Sequence, residues 1–92
     1  MKKPGPRSAK RSRQIEKHFG HQMRDRRLVV DMSQSKLGQE LGISFQQVQK
    51  YEKGINRISA ARLYEVCLVL DIPIASMFEG IPRTDRKKKP PV

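Results

Sequence analysis

Apolar residues recur at helical spacing in short runs along the chain, and polar punctuation separates the runs. Ile15, Phe19, Met23 and Val30 fall at successive helical intervals with charged residues between them, which predicts a first helix over roughly 15–30. Leu37 and Leu41 lie four apart behind Ser33, whose side-chain oxygen can satisfy a free amide at a helix start, so a second helix is expected over 34–41. Gly42 closes it, because a residue without a Cβ meets no steric penalty in the left-handed backbone of a helix end. Ser44 then starts a third helix. With Gln47 it makes a Ser-x-x-Gln capping box, and Val48 and Tyr51 carry the apolar face on to Gly54.

Ser59 is placed to cap a fourth helix, in which Leu63, Val66, Cys67 and Leu70 form an i, i+3, i+4, i+7 stripe, the signature of a buried face. Pro73 lacks an amide proton and disfavours helical backbone at the residue before it, so Asp71-Ile72-Pro73 breaks that helix. A short fifth helix around Ile74 to Phe78 is expected to turn Ile74, Met77 and Phe78 to the core, before Gly80 and Pro82 close the domain. The fold class is therefore all-α, with five helices. Two apolar groups exceed what a single face can bury. Leu28, Val29 and Val30 are consecutive, so part of that run stays exposed; Tyr64, Leu68 and Val69 lie outside the helix-4 stripe and suit another subunit or helix 5.

Charge divides the same chain into three parts. The 92 residues carry 20 Lys+Arg against 9 Asp+Glu, a net +11. Residues 1–13 hold Lys2, Lys3, Arg7, Lys10, Arg11 and Arg13 and no acid, giving +6, while 83–92 give +4, so the middle is left at only +1. The ends combine charge with Pro, Gly and Ser and lack apolar periodicity, which marks 1–13 and 83–92 as flexible basic arms around a domain over 14–82. Such charge favours a polyanion through phosphate contacts and counterion release. An anionic membrane is the weaker reading, since no amphipathic face or lipidation signal accompanies it. The single Cys67 excludes an internal disulfide, and the first residues lack the apolar core of a signal peptide, so a cytoplasmic protein is expected.

The second and third helices meet across one glycine, the arrangement of a helix-turn-helix over 33–54. At 1.5 Å per residue the helix over 45–52 is about 12 Å long, short enough to lie in a DNA major groove. Its outer face carries Phe45, Gln46, Gln49 and Lys50. Gln offers a donor and an acceptor together, matching adenine; Lys donates to guanine acceptors or a phosphate; Phe45 suits a thymine methyl. The plainer alternative is a helical hairpin with Gln and Lys on a solvated face.

These residues resemble the XRE family, the helix-turn-helix of Cro and phage-repressor type. The resemblance runs from about Phe19 to Phe78 and rests on Ser33-Gln34 opening the second helix, Gly38 at a close approach, Gly42 in the turn, Ile43, Val48 and Tyr51 inward, and the Tyr51-Glu52-Lys53-Gly54 ending. It implies a lambda-repressor-like DNA-binding domain. Gln34 would then face phosphate and a base, and Asn56 and Arg57, in the loop after the reading helix, would contact the backbone. Arg27 shares a side with Phe19 and Met23, and the resemblance pairs it with Glu52; an independently solvated arginine is the alternative. Asp31 departs from the family, where many members have Gly, and tolerates left-handed backbone at some cost. Some members use a basic N-terminal arm on DNA, although a solubilising tail explains 1–13 equally well.

The expected partner is double-stranded DNA, bound by a homodimer on an inverted repeat, because one short reading helix specifies only a half-site. An antitoxin and a protein-interaction adaptor of the same fold are the rival functions. Enzyme chemistry is disfavoured: no nucleophile-base-orienter grouping and no Gly-rich phosphate loop is present. His18 and His21 share a helix face without a third ligand, so no metal or other cofactor is expected. Cys67 reads as a small core residue.

Overall fold

The computed structural model describes residues 6–81, with side chains from Ala9 onward. Four α-helices follow one another, α1 Pro6–Val29, α2 Gln34–Leu41, α3 Phe45–Glu52 and α4 Ala60–Leu70, and a 3-10 segment, Ile74–Phe78, closes the chain. There is no strand among the described residues.

Three serines start three of these helices as their positions predict. Ser33, Ser44 and Ser59 are extended, and their hydroxyl oxygens accept from the amides of Lys36, Gln47 and Arg62 at 3.0, 3.1 and 3.1 Å. Each bond satisfies one amide that the first helical turn leaves open. Gly42 ends α2 at φ 73°, in the left-handed region. Asp31 and Asp71 adopt the same region, at φ 57° and 56°, and are the non-glycine residues that do so among those described.

Two elements differ from expectation. α1 begins at Pro6 and not near residue 15, so the stretch 6–13, read from composition as a flexible arm, continues the helix. Lack of apolar periodicity means only that a segment has no core to face. Lys, Arg and Ala are good helix formers, extension of an existing helix avoids the costly nucleation step, and proline is tolerated in the first turn. Residues 1–5 and the expected tail over 83–92 lie outside the described residues. The fifth helix is a 3-10 segment of five residues. Met77 alone of its predicted core residues is buried, whereas Ile74 and Phe78 are half exposed. Phe78 instead meets Phe19 edge to face, centroids 5.4 Å apart. A five-residue segment directly after a proline has room for about one and a half 3-10 turns, and aims one side chain inward.

Phe19 and Met23 from α1, Leu37 and Leu41 from α2, Val48 and Tyr51 from α3, Ile58, and the α4 stripe Leu63, Val66, Cys67 and Leu70 form one buried cluster with Met77. Cys67 belongs to that core, and burial pushes its thiol pKa up. Leu28, Val29 and Val30 are all exposed, Val29 at 73 %.

Long side chains bind the helices to one another's ends. Arg26 donates to the carbonyls of Leu70 and Asp71 at 2.9 and 3.1 Å, closing the end of α4; Arg62 does the same for α2 through Leu41 at 2.9 Å. A helix leaves its last carbonyls unpaired, so arginine there supplies both hydrogen bond and favourable charge. No helix among the described residues is long and apolar enough to cross a membrane.

Candidate nucleic-acid interface

α3 is held from below by a buried ion pair. Arg27 Nε donates to Glu52 Oε2 at 2.7 Å and Nη2 to Oε1 at 3.0 Å, while Nη1 donates to the Met32 carbonyl at 2.8 Å. The two residues are 7 % and 4 % exposed. The hydrogen bond to Glu52 raises the arginine's pKa further, burial works against it, and the carboxylate's charge adds to the rise. A guanidinium fork matches a carboxylate edge to edge, so the pair fixes the angle between α1 and the end of α3.

From that pair a line of hydrogen bonds runs outward. Gln34 Nε2 donates to Glu52 Oε1 at 3.0 Å, and Gln49 Nε2 donates to Gln34 Oε1 at 3.1 Å. Its direction follows from the groups themselves: the Glu52 carboxylate accepts, so Gln34 turns its NH2 toward it and its oxygen away, where that oxygen accepts from Gln49. Gln49 is left with its carbonyl oxygen and its second N–H directed by the same bond.

Phe45, Gln46 and Lys50 are exposed along α3, and none of them is bonded through its side chain to another described residue. The line of bonds thus joins Gln34, Gln49, Glu52 and Arg27, and leaves Phe45, Gln46 and Lys50 free at its edge. Asn56 and Arg57 lie in the loop after α3, where the amides of Ile55 and Asn56 donate to the Lys50 carbonyl at 3.0 and 3.4 Å. Glu16 Oε1 accepts from Ile58 N at 3.1 Å and fastens the far end of this loop to α1.

Sequence reasoning missed two parts of this arrangement. The Gln34–Gln49 bond joins residues 15 apart on different helices, and only the crossing of α2 and α3 brings them together. Gly20 is the other. A Cβ there would stand 2.5 Å from the Tyr51 carbonyl oxygen and 2.6 Å from that of Glu52, so α1 touches the backbone of α3 at this point. The available signal was its place beside Phe19 and one turn before Met23 on the core face. Gly38, singled out by resemblance, is also tight: a Cβ would lie 2.7 Å from the Ile43 carbonyl oxygen, against the turn. Among the described residues no group of three or more His, Cys, Asp or Glu is placed to hold a metal ion.

Two serine-capped helices joined through a left-handed glycine, with the second bearing an exposed polar face, define a helix-turn-helix protein. The HTH_3 helix-turn-helix family profile matches residues 23–76, and the chain belongs to this XRE-type family. It is 47 % identical over 81 residues to an HTH-type transcriptional regulator of Sinorhizobium medicae, covering 88 % of this chain and 52 % of that protein. It is 44 % identical over 71 residues to a transcriptional regulator in the ATPase CF(0) region of Rhodospirillum rubrum, covering 77 % and 66 %. The crystal structure of the clp gene regulator ClgR from C. glutamicum has a similar fold, with TM-score 0.67 and 20 % identity over 70 % of this chain and 83 % of that one. The chain spans about half the length of the Sinorhizobium medicae relative.

Proposed function

We propose that this protein is a sequence-specific DNA-binding transcriptional regulator of bacterial or phage type, not an enzyme, acting in the cytoplasm by steric control of RNA polymerase access at an operator or by contact with polymerase beside it. The observation that carries this reading is the line of bonds from Arg27 through Glu52 and Gln34 to Gln49. It spends two glutamines and a buried ion pair on orienting one carboxamide at the surface of an eight-residue helix. The transcriptional-regulator names of the relatives agree with it.

In this reading α3 lies in the major groove with Phe45, Gln46, Gln49 and Lys50 toward base edges, and Gln34, Asn56 and Arg57 hold the backbone. Gln49 keeps one acceptor and one spare donor beyond Gln34, the pair that adenine presents in complement through N6–H and N7. Guanine offers two acceptors at that edge and is disfavoured there. Selection of bound duplexes from a random pool, followed by titration of Gln49→Ala and Gln46→Ala, tests this. Each variant is expected to lose about 1–3 kcal/mol of discrimination per bidentate contact and much less affinity for random duplex. Equal loss on both duplexes with the fold intact would refute the base-reading role. Failure of the unaltered protein to prefer any duplex would favour an adaptor.

A homodimer on an inverted repeat completes the proposal, since α3 alone covers a short half-site. The surface we assign to the second copy is the apolar ground of α4, where Tyr64 and Leu68 flank a cleft with Ile72, Pro73 and Ile74; Leu68 is 64 % exposed. Leu68→Glu should weaken dimerisation about tenfold or more in sedimentation equilibrium while the dilute monomer keeps the helical circular dichroism of the parent, since it is a surface site. Unchanged association would place the dimer contact elsewhere.

A further inference from the structure

α1 continues for several turns on the N-terminal side of the core, and its packing face continues with it. Gly20, Met23 and Arg27 contact α3 and the core through one side of the helix; at helical spacing that side runs back through Glu16, Arg13, Ser12 and Ala9. The core ends before it reaches those residues. What stands opposite them is the loop that leaves α3: Ala9, Ser12, Arg13 and Glu16 form one wall of a cleft, and Gly54, Ile55 and Arg57 the other.

The loop is fixed against the helix at two points. Gly54, at φ 73°, lies so close that a Cβ would stand 2.7 Å from Lys17 Cγ and 2.9 Å from Lys17 Cα, and Glu16 holds the Ile58 amide. Arg13 and Arg57 are both exposed, and neither forms an ion pair or side-chain hydrogen bond with another described residue. Glu16 is the one acid in the cleft walls, and its Oε1 is engaged by Ile58 N–H. Two unpaired guanidinium groups and a hydroxyl on rigid opposing walls suit a phosphate, which accepts from arginine in bidentate fashion.

We propose that this cleft is a phosphate-binding site for the DNA backbone, in which Arg13 and Ser12 of α1 and Arg57 of the loop hold one phosphate together. The proposal rests on the reading that α3 occupies the major groove. A helix of about 12 Å spans a groove of about the same width, so the chain leaving its C-terminal end meets the phosphate strand that forms the groove wall. The loop 54–57 leaves α3 at that end, and the extension of α1 stands beside it. The basic N-terminal segment thereby contributes through a helix seated on the domain, which gives Arg13 a fixed position relative to the reading helix.

The test is the salt dependence of binding to a mixed-sequence duplex and to the duplex selected from a random pool, measured by fluorescence anisotropy on the full chain. The double variant, Arg13→Ala with Arg57→Ala, should lower the magnitude of the log-log slope by about 0.9 on both duplexes, the signature of one lost phosphate contact on duplex DNA. Each single variant should fall by less, because the remaining arginine still neutralises the shared phosphate, and Arg13→Lys should keep most of the slope. Circular dichroism melts establish that each variant is folded. A double variant whose slope equals that of the unaltered protein or of Arg57→Ala alone would overturn the cleft; so would single variants that each fall by about 0.9 and a double variant that falls by about twice as much, since that means two separate phosphates. No binding by the unaltered protein to either duplex would instead refute the DNA-binding reading itself.

Discussion

Arg27→Ala is expected to destabilise the domain by about 3–5 kcal/mol, the usual loss when one partner of a buried ion pair is removed. The Glu52 carboxylate, 4 % exposed in the intact domain, would lose its principal donor and keep only the Gln34 amide at 3.0 Å. The Met32 carbonyl would lose its guanidinium donor as well. Native domains are stable by only about 5–15 kcal/mol in total, so this substitution alone brings a chain of this size near unfolding. Glu52→Ala should act similarly, since it strands a buried guanidinium. The double variant separates the pair from its surroundings. Replacing both residues by apolar ones of similar volume, Arg27→Met with Glu52→Leu, removes both desolvation penalties and should recover much of the loss. Urea denaturation of the parent, Arg27→Met, Glu52→Leu and the double variant closes a cycle and reads the coupling directly. Strict additivity of the two single losses would show that the bonds between these residues contribute no mutual stability.

The recovered double variant should still bind DNA less selectively. Without the Glu52 carboxylate nothing obliges Gln34 to present its oxygen to Gln49, and the carboxamide of Gln49 rotates freely between orientations. Stability and reading therefore separate in that protein, which is what distinguishes a pair that positions the reading helix from one that merely fastens two helices.

Gly20→Ala is expected to cost about 2 kcal/mol, even though alanine is the better helix former by roughly 1 kcal/mol. The added methyl would lie 2.5 Å from one carbonyl oxygen and 2.6 Å from another, both in the backbone at the end of α3. A flexible side chain could swing aside, whereas a helix end cannot move without carrying Glu52 and the loop with it. The strain should thus exceed the gain in helix propensity, and α1 and α3 should separate slightly at the ion pair. Gly42→Ala is the control. It has nothing within 4 Å of its Cβ position but stands at φ 73°, so its loss comes from the left-handed backbone alone, about 1–2 kcal/mol. Thermal denaturation of both, with binding to the selected duplex, would distinguish them: Gly20→Ala should lose discrimination as well as stability. A Gly20→Ala protein as stable as the parent would mean that the α1–α3 contact is looser than its geometry.

Much of the domain was legible in one dimension because its signals are local. A serine before an apolar run, a glycine after it and a proline beyond act within a few residues, and Ser33, Ser44, Ser59 and Gly42 occupy their predicted places. The buried stripe of α4 was equally plain, being a matter of helical period alone. Composition was a weaker guide. It read the basic segment 6–13 as a flexible arm where the backbone is helical, because charge and lack of periodicity report on packing and not on backbone conformation.

What the sequence by itself determined, then, is where the helices start and stop and which side of each is apolar, since backbone sterics, capping and period operate between near neighbours. Only the tertiary structure decided which polar groups converge. Arg27 and Glu52 are 25 residues apart, Gln34 and Glu52 18, and Glu16 and Ile58 42, and each pair meets only because α1, α2, α3 and the loop after α3 are brought together by side-chain packing. Such packing is a property of all the core residues at once. No local pattern encodes it, and for that reason the direction of the Gln49 carboxamide and the cleft beside Arg57 are features of the folded chain alone.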